Sequence, residues 1–149
     1  RNTVASATCA HAVGEGTQAT ADASASEGFY TVASGFAGHA EGYETTASAF
    51  AASAGGYYTI ADQAYQTAVG KYNVADQAGV LFAVGNGDDV DNRSDALQIK
   101  EDGSAVLAGD LQFGGVSLQD TLSALNSRIT ALEEAIETLI LELNGPANE

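Results

Sequence analysis

Basic residues are nearly absent from this chain. Its 149 residues include five Lys and Arg against 20 Asp and Glu, which gives a formal net charge of −15, and residues 2 to 70 contain no Lys or Arg. Nucleic-acid binding needs cationic side chains to neutralise phosphates, and anionic membrane surfaces also attract cations. No apolar run is long enough to span a bilayer. The composition therefore excludes nucleic acid as a partner and predicts no membrane insertion.

Large side chains and cysteines are scarce as well. Trp and Met are absent, and aromatic residues make up 7% of the chain. Such a chain must pack its backbone closely or bury its surface against copies of itself. Cys9 is the only cysteine, so the chain forms no internal disulfide and no Cys-based metal site. We expect Cys9 to be a small buried residue in an alanine-type position. The chain opens at Arg1 without a methionine, and we expect it to belong to a longer protein.

What the sequence has instead is a repeat of 14 residues. The same columns recur in each copy: glycine at 14, 28, 42, 56 and 70, Thr or Asn three residues later, and alanine five residues later. Alternation with a period of two is strand geometry. Two strands of about five residues, joined by tight turns, would form one coil of a β-solenoid. Ala, Gly and Ser would face its narrow interior, with glycine where the backbone needs positive φ or close approach.

The repeat over residues 3 to about 77 resembles the head repeats of YadA-like trimeric adhesins. The repeats of that family are also about 14 residues long and carry A-x-A-x-G and S-x-A-x-G motifs. This chain has the similar motifs T-x-A-x-[AG], as in Thr31-Val32-Ala33-Ser34-Gly35, and x-x-A-x-G, as in Gly38-His39-Ala40-Glu41-Gly42. It implies a left-handed parallel β-roll in which three chains pack around an axis. The sequence has fewer Val and Ile at the alternate positions than that family pattern.

Aromatic residues cluster next to the repeated glycines. At solenoid spacing they would stack along one edge of the roll, as a packing ladder or a subunit contact, or as a stripe that grips a sugar. The candidate receptor contacts are Phe29, Tyr30, Tyr43, Tyr57 and Tyr58.

The repeat breaks after residue 79, and residues 80–116 are predicted to form a β neck. Asp102-Gly103 marks a hairpin between two apolar runs. The string VGNGDDVDNRSDALQI, residues 84–99, resembles a segment of phage tail-fibre and related appendage proteins. A calcium loop starting at Asp89 would need glycine and glutamate where Ser94 and Lys100 stand, so we expect no metal site and a loop that holds its own turns.

Residues 117–149 carry four unbroken heptads, which predict a coiled coil. Ser117 and Asp120 resemble a capping box, and Asn144-Gly145-Pro146 is a stop signal. Arg128 and Glu133 fit the R-h-x-x-h-E pattern of three-stranded coils, which favours a homotrimer over the dimer that Ile or Leu at position a and Leu at position d would favour. The predicted trimerisation residues are Leu118, Leu122, Leu125, Arg128, Ile129, Leu132, Glu133, Ile136, Leu139 and Leu143.

The sequence has no constellation of catalytic residues, and His11 and His39 are predicted to face outward in one column. We expect a non-enzymatic protein without a cofactor, in three domains: roll 1–79, neck 80–116 and coiled coil 117–149. The expected function is a structural and adhesive segment of a trimeric phage tail fibre or phage-like appendage, on a virion or a cell surface, binding a host glycan or protein receptor. One alternative is the head and neck of a bacterial trimeric autotransporter adhesin. Another is an ice-binding solenoid that uses the threonine column.

Overall fold

The computed structural model describes residues 2–145, and the chain divides into two compact units between Ala108 and Gly109. The strands of the first unit are β1 (Val4–Ala5), β2 (His11–Glu15), β3 (Gln18–Ala19), β4 (Ala25–Phe29), β5 (Val32–Ala33), β6 (His39–Tyr43), β7 (Thr46–Ala47), β8 (Ser53–Tyr57), β9 (Ile60–Ala61), β10 (Thr67–Lys71), β11 (Val80–Asn86), β12 (Asp95–Lys100) and β13 (Ala105–Leu107). The second unit contains β14 (Gln112–Phe113), β15 (Val116–Ser117) and helix α1 (Leu118–Leu143). The predicted domain boundaries at residues 79/80 and 116/117 stay predictions.

The first unit is a β-solenoid of parallel stacked coils, as the repeat predicted. Two-residue strands form one sheet in the order β1-β3-β5-β7-β9, and the longer strands form a second in the order β13-β12-β11-β10-β8-β6-β4-β2. Strands of successive coils pair in parallel, so that Ala40 lies beside Ala54 and Ala33 beside Ala47. The expectation of two five-residue strands per coil is wrong for one side, where turns take up the rest of the coil.

Small side chains fill the interior of the solenoid. Ala33, Ala40, Ala47, Ala54 and Ala61 are fully buried in one continuous cluster. Because the two sheets are joined by short turns, the space between them admits a methyl group and little more. The predicted inward columns are therefore confirmed.

The threonine column also lies inside, where Thr31, Thr45 and their equivalents Thr17 and Thr59 are fully buried. Thr31 Oγ1 shares a hydrogen bond of 2.7 Å with Ser26 Oγ, and Thr45 Oγ1 donates to the Glu41 carbonyl at 3.1 Å. These four hydroxyl groups do not face water. They therefore cannot form the threonine surface on which the ice-binding alternative depends.

The repeated glycines allow coils to approach closely. Gly28, Gly42 and Gly56 have φ values of +116°, +106° and +120°, and a Cβ on each would collide with the carbonyl oxygen of the next glycine in the column. A side chain here would meet backbone that cannot move aside. The predicted need for positive φ and close approach is confirmed, although these glycines lie inside the long strands.

One corner of each coil is a tight turn whose third residue has a positive φ, in the left-handed region. Gly38 N donates to Gly35 O and Ala52 N to Ala49 O, and the left-handed column runs Cys9, Ala23, Ala37, Ala51, Tyr65 and Gly79. Cys9 thus occupies an alanine position, as predicted. The expectation that it is buried is wrong, since its side chain is exposed at this outer corner.

An extra residue breaks the period after the fifth repeat. Thr67 pairs with Phe82 and Gly70 with Gly85, and the register shifts between Val80 and Phe82. Gly85 therefore takes the place of the repeated glycine one residue late. β12 and β13 then add to the same sheet in antiparallel fashion, and the predicted Asp102-Gly103 hairpin joins them.

In the second unit, β14 and β15 form a small hairpin that leads into α1. Ser117 Oγ accepts a hydrogen bond of 2.9 Å from Asp120 N, which confirms the predicted cap. The helix ends at Leu143, with Asn144 N donating to Ile140 O, while Pro146 of the predicted stop lies outside the described residues. Within residues 2–145, no helix combines the length and apolar character that crossing a membrane requires.

Candidate functional site: two aromatic surfaces and an apolar helix stripe

The predicted aromatic edge exists, and we call Phe29, Tyr30, Tyr43, Tyr57 and Tyr58 the Tyr ladder. Phe29 stacks on Tyr43 with ring centroids 4.9 Å apart, and Tyr43 stacks on Tyr57 at 5.0 Å. Each ring lies at the end of a long strand, and the parallel register repeats it one coil further on. Most of each ring face is covered by its neighbour, so the ladder presents mainly ring edges to solvent.

Neighbouring groups raise the pKa values of two hydroxyl groups in the Tyr ladder. A hydrogen bond with the Glu44 carboxylate, supported by desolvation, raises the pKa of Tyr58 to about 12. Desolvation, followed by the charge of Glu44, also raises the pKa of Tyr43. Tyr72 continues the column and stacks on Tyr58 at 5.0 Å, with the Arg93 guanidinium 5.8 Å from its ring centroid. No sequence motif indicated that Glu44 and Arg93 belong to this surface.

A second aromatic surface, which sequence reasoning missed, lies at the turn corner. We call Phe36, Phe50 and Tyr65 the Phe row. Phe36 and Phe50 stack with centroids 5.4 Å apart, and Tyr65 meets Phe50 edge to face at 5.5 Å. Their exposed fractions are 52%, 49% and 63%, against 37% and 43% for Tyr43 and Tyr57. The spacing of 14 between Phe36 and Phe50 was a usable signal, but Tyr65 stands one residue out of phase.

Polar groups lie at both ends of the Phe row. Asp22 occupies the same turn position as Phe36 one coil earlier, and its Oδ1 accepts a hydrogen bond of 2.9 Å from Thr8 N. One coil beyond Tyr65, the same turn opens into a shallow cleft. The cleft is lined by Ala78, Gly79, Lys100, Glu101 and Asp102.

The third surface is the apolar stripe of α1. The structure contains no buried residue on this helix, and its predicted a and d positions range from 38% exposed at Leu118 to 83% at Leu143. Within residues 2–145, neither Arg128 nor Glu133 forms an ion pair. The stripe has no partner within the described chain.

The remaining polar candidates are the two histidines and the acidic loop at Asp89. His11 and His39 belong to one column, as predicted, and lie 3.7 Å from Glu27 and Glu41 respectively. Asp89 Oδ1 accepts hydrogen bonds from its own loop, at Asn92 N and Asp91 N, which confirms that this loop holds its own turns. Within residues 2–145, no three His, Cys, Asp or Glu side chains are grouped so that they could hold a metal ion.

Comparisons with protein-family models, with curated proteins and with solved structures each found no match for this chain. A β-solenoid with two aromatic columns on its corners, followed by a helix with an apolar stripe, is the class of protein that the fold defines. Its function must be inferred from those surfaces.

Proposed function

We propose that this chain is a structural and adhesive segment of a homotrimeric phage tail fibre or phage-like appendage that presents a binding face to a host surface. The observation that carries the proposal is the unpartnered apolar stripe of α1, which follows a repetitive solenoid in the same chain. A helix whose leucines remain in water is marginal by itself, and burial against copies of itself would stabilise it.

In this proposal α1 forms a three-stranded coiled coil, with Arg128 of one chain over the a layer and Glu133 of a neighbour as its partner. The solenoid is a left-handed roll of 14-residue coils, supported by register pairs such as Ala40 with Ala54. Three identical rolls would present the same corner three times, which raises avidity without tighter single contacts. The role is mechanical and needs no catalysis or cofactor.

The Tyr ladder is a proposed receptor contact, and the receptor is a glycan or protein of the host surface. The chain would then work outside the cell, on a virion or a cell surface. The surplus of acidic side chains supports a partner other than nucleic acid.

The oligomeric state tests this proposal. Light scattering coupled to size exclusion should give three times the chain mass of 15.1 kDa. Leu125→Asp places a carboxylate in a d layer, where three desolvated charges would cost several kcal/mol, about enough to dissociate the trimer. The helical circular dichroism at 222 nm should fall with it.

Ser127→Asp is the matched control, because it adds the same charge at position f on the opposite side of the helix. This variant should remain trimeric. A parent chain with the mass of one chain, or two variants that dissociate equally, would contradict the coiled coil and with it the fibre.

A further inference from the structure

We propose that the Phe row is a binding site for a linear neutral glycan, which lies along the turn corner from Asp22 towards the cleft at Gly79. This inference rests on the proposed function, because it names the ligand class of an adhesive fibre. It adds a glycan site at the turn corner to the receptor contact proposed for the Tyr ladder.

The shape of the Phe row suits a linear ligand. The three rings of the Phe row follow the solenoid axis with centroids 5.4 and 5.5 Å apart. Each is fixed to a turn that is hydrogen-bonded to the coil before it, since Ala51 N donates to Phe36 O and Tyr65 N to Phe50 O. A narrow row with regular steps matches a chain of pyranose rings, in which one sugar follows the next at a similar spacing. It offers little area to a globular protein partner, which needs roughly 800 Å² on each side.

The chemistry of the rings suits a sugar. Pyranose rings have C–H groups on their faces, which are attracted to the negative face of an aromatic ring and gain from its burial. Phe36 and Phe50 stack face to face, whereas Tyr65 meets Phe50 at 75° and is not stacked against it. About half or more of each side chain in the Phe row is exposed, which is more than for Tyr43 and Tyr57 of the Tyr ladder.

Polar groups at both ends of the row can bind sugar hydroxyl groups. Sugar hydroxyl groups donate to carboxylates, and Asp22 supplies one at the turn position before Phe36. Its Oδ2 has no hydrogen-bond partner within residues 2–145. In the cleft, Glu101 and Lys100 supply an acceptor and a donor. Apolar contact with a few polar groups is typical of small-ligand sites.

The charge around the row distinguishes between classes of glycan. Residues 2 to 70, which contain the whole Phe row, have no Lys or Arg to bind sulfate, phosphate or uronate groups. Asp22 and the acidic pair at Asp62 and Asp76 would repel such groups. Lys100, the one cation of the cleft lining, lies next to Glu101 and Asp102 in the chain, and both carboxylates belong to the same lining. A neutral glycan avoids this repulsion, and a polyanion does not.

The experiment uses the full chain in affinity electrophoresis, with dextran, mannan and galactomannan as neutral probes and heparin and polygalacturonate as anionic ones. At least one neutral polysaccharide should retard the protein, and the anionic probes should not. The triple variant Phe36→Ala, Phe50→Ala, Tyr65→Ala should bind at least about tenfold more weakly. A second variant, Phe50→Leu with Tyr65→Leu, keeps apolar bulk without aromatic faces and should also lose binding.

A matched control locates the site. Val13→Ala removes an exposed apolar side chain from a sheet face that lies outside both aromatic surfaces. It should bind like the parent, and circular dichroism must show that every variant is folded. Retardation by heparin, a triple variant that binds like the parent, or an equal loss of binding in Val13→Ala would overturn the inference.

A cell-binding assay separates this inference from the proposed function. If the parent binds a panel of intact bacterial cells, and no neutral polysaccharide retards it or competes with that binding, the glycan class is wrong while adhesion stands. If the parent binds neither cells nor polysaccharide, the adhesive function fails and the inference fails with it.

Discussion

The pair formed by Tyr58 and Glu44 links a single hydroxyl group to the stability of two adjacent coils. Tyr58 has φ of 55° and Glu44 has φ of 49°, so both stand at left-handed positions of the same corner, one coil apart. The Glu44 carboxylate accepts a hydrogen bond from the phenol O–H, and ionising the phenol would place two negative charges side by side. The protonated form of Tyr58 is therefore favoured in the folded chain.

The expected result is a tyrosine that titrates late. The pKa of Tyr58 is about 12 in the folded chain against 10.0 in the unfolded chain. Folded Tyr58 thus keeps a proton that the unfolded chain has lost, so its contribution to stability is complete below pH 10 and disappears as the pH rises from 10 towards 12. Absorbance at 295 nm should show this late titration step.

Glu44→Gln should shift that late step back towards pH 10, because the hydrogen bond to a carboxylate is its largest cause. Glu41→Gln removes the same charge on an outer strand face and should leave the step in place. An identical titration curve in parent and Glu44→Gln would show that Glu44 does not hold the phenol.

The residue types predicted the repeating columns of the solenoid well, but they did not predict for every column whether it faces the interior or the solvent. Ala33, Ala40 and Gly42 lie where a small-residue pattern with close coils requires them. From the sequence alone, Thr31 could be interpreted as facing the solvent, because hydroxyl groups are usually exposed. It lies inside because Ser26 provides a partner five residues away, and such a local hydrogen bond cannot be read from composition.

At the scale of elements, the five-stranded sheet ends where Asn73 replaces the repeated threonine. In earlier coils the backbone amide of Val32 or Thr46 donates to a threonine carbonyl of the next coil. For Ile60 that role passes to a side chain. Asn73 Oδ1 accepts from Ile60 N at 2.7 Å, and Asn73 Nδ2 donates to Ile60 O at 2.9 Å. One buried amide therefore substitutes for the strand that would follow β9.

Asn73→Ala should destabilise the solenoid by about 2–3 kcal/mol, since the buried N–H and C=O of Ile60 would both lose their partner. Thr59→Val is the matched control, because the Thr59 hydroxyl is buried and has no hydrogen-bond partner in the described chain. It should be neutral or slightly stabilising. Urea unfolding followed by circular dichroism measures both, and equal losses in the two variants would argue against this role of Asn73.

The elements differ in how far the sequence specifies them. The hairpin at Gly103 and the cap at Ser117 were predicted because each rests on two or three adjacent residues. The repeat did not predict that Tyr65 belongs to the Phe row, because Tyr65 is one residue out of phase with Phe50. Contacts between chains stay predictions, since a periodic stripe identifies an interface and does not count its members.

At the scale of the whole molecule, the net charge of −15 works against compaction and association. Within residues 2–145, Lys71 and Asp88 form an ion pair, and the two other close contacts of opposite charge type involve histidine, which is charged only when it is protonated. Repulsion between the remaining carboxylates is therefore largely uncompensated. Dissolved salt weakens this repulsion by screening the charges.

Salt should stabilise this chain. Raising NaCl from about 0.01 M to about 1 M shortens the screening length from about 30 Å to about 3 Å. The thermal midpoint should rise by about 4 °C or more, roughly the effect of 1 kcal/mol in a domain of this size. Differential scanning calorimetry measures the shift, and KCl as the control should act like NaCl. A midpoint that falls or stays constant would show that repulsion is unimportant.

The parallel register of the roll has a consequence for how this protein can vary. Each coil binds its two neighbours and nothing further along the stack, so the roll behaves as a one-dimensional array. Duplicating or deleting one repeat unit would add or remove a rung while leaving the corner geometry of every other rung intact. The number of 14-residue repeats would then set the length of the Phe row. It would thereby determine how many sugar units the row can contact, without any change in how each unit is recognised.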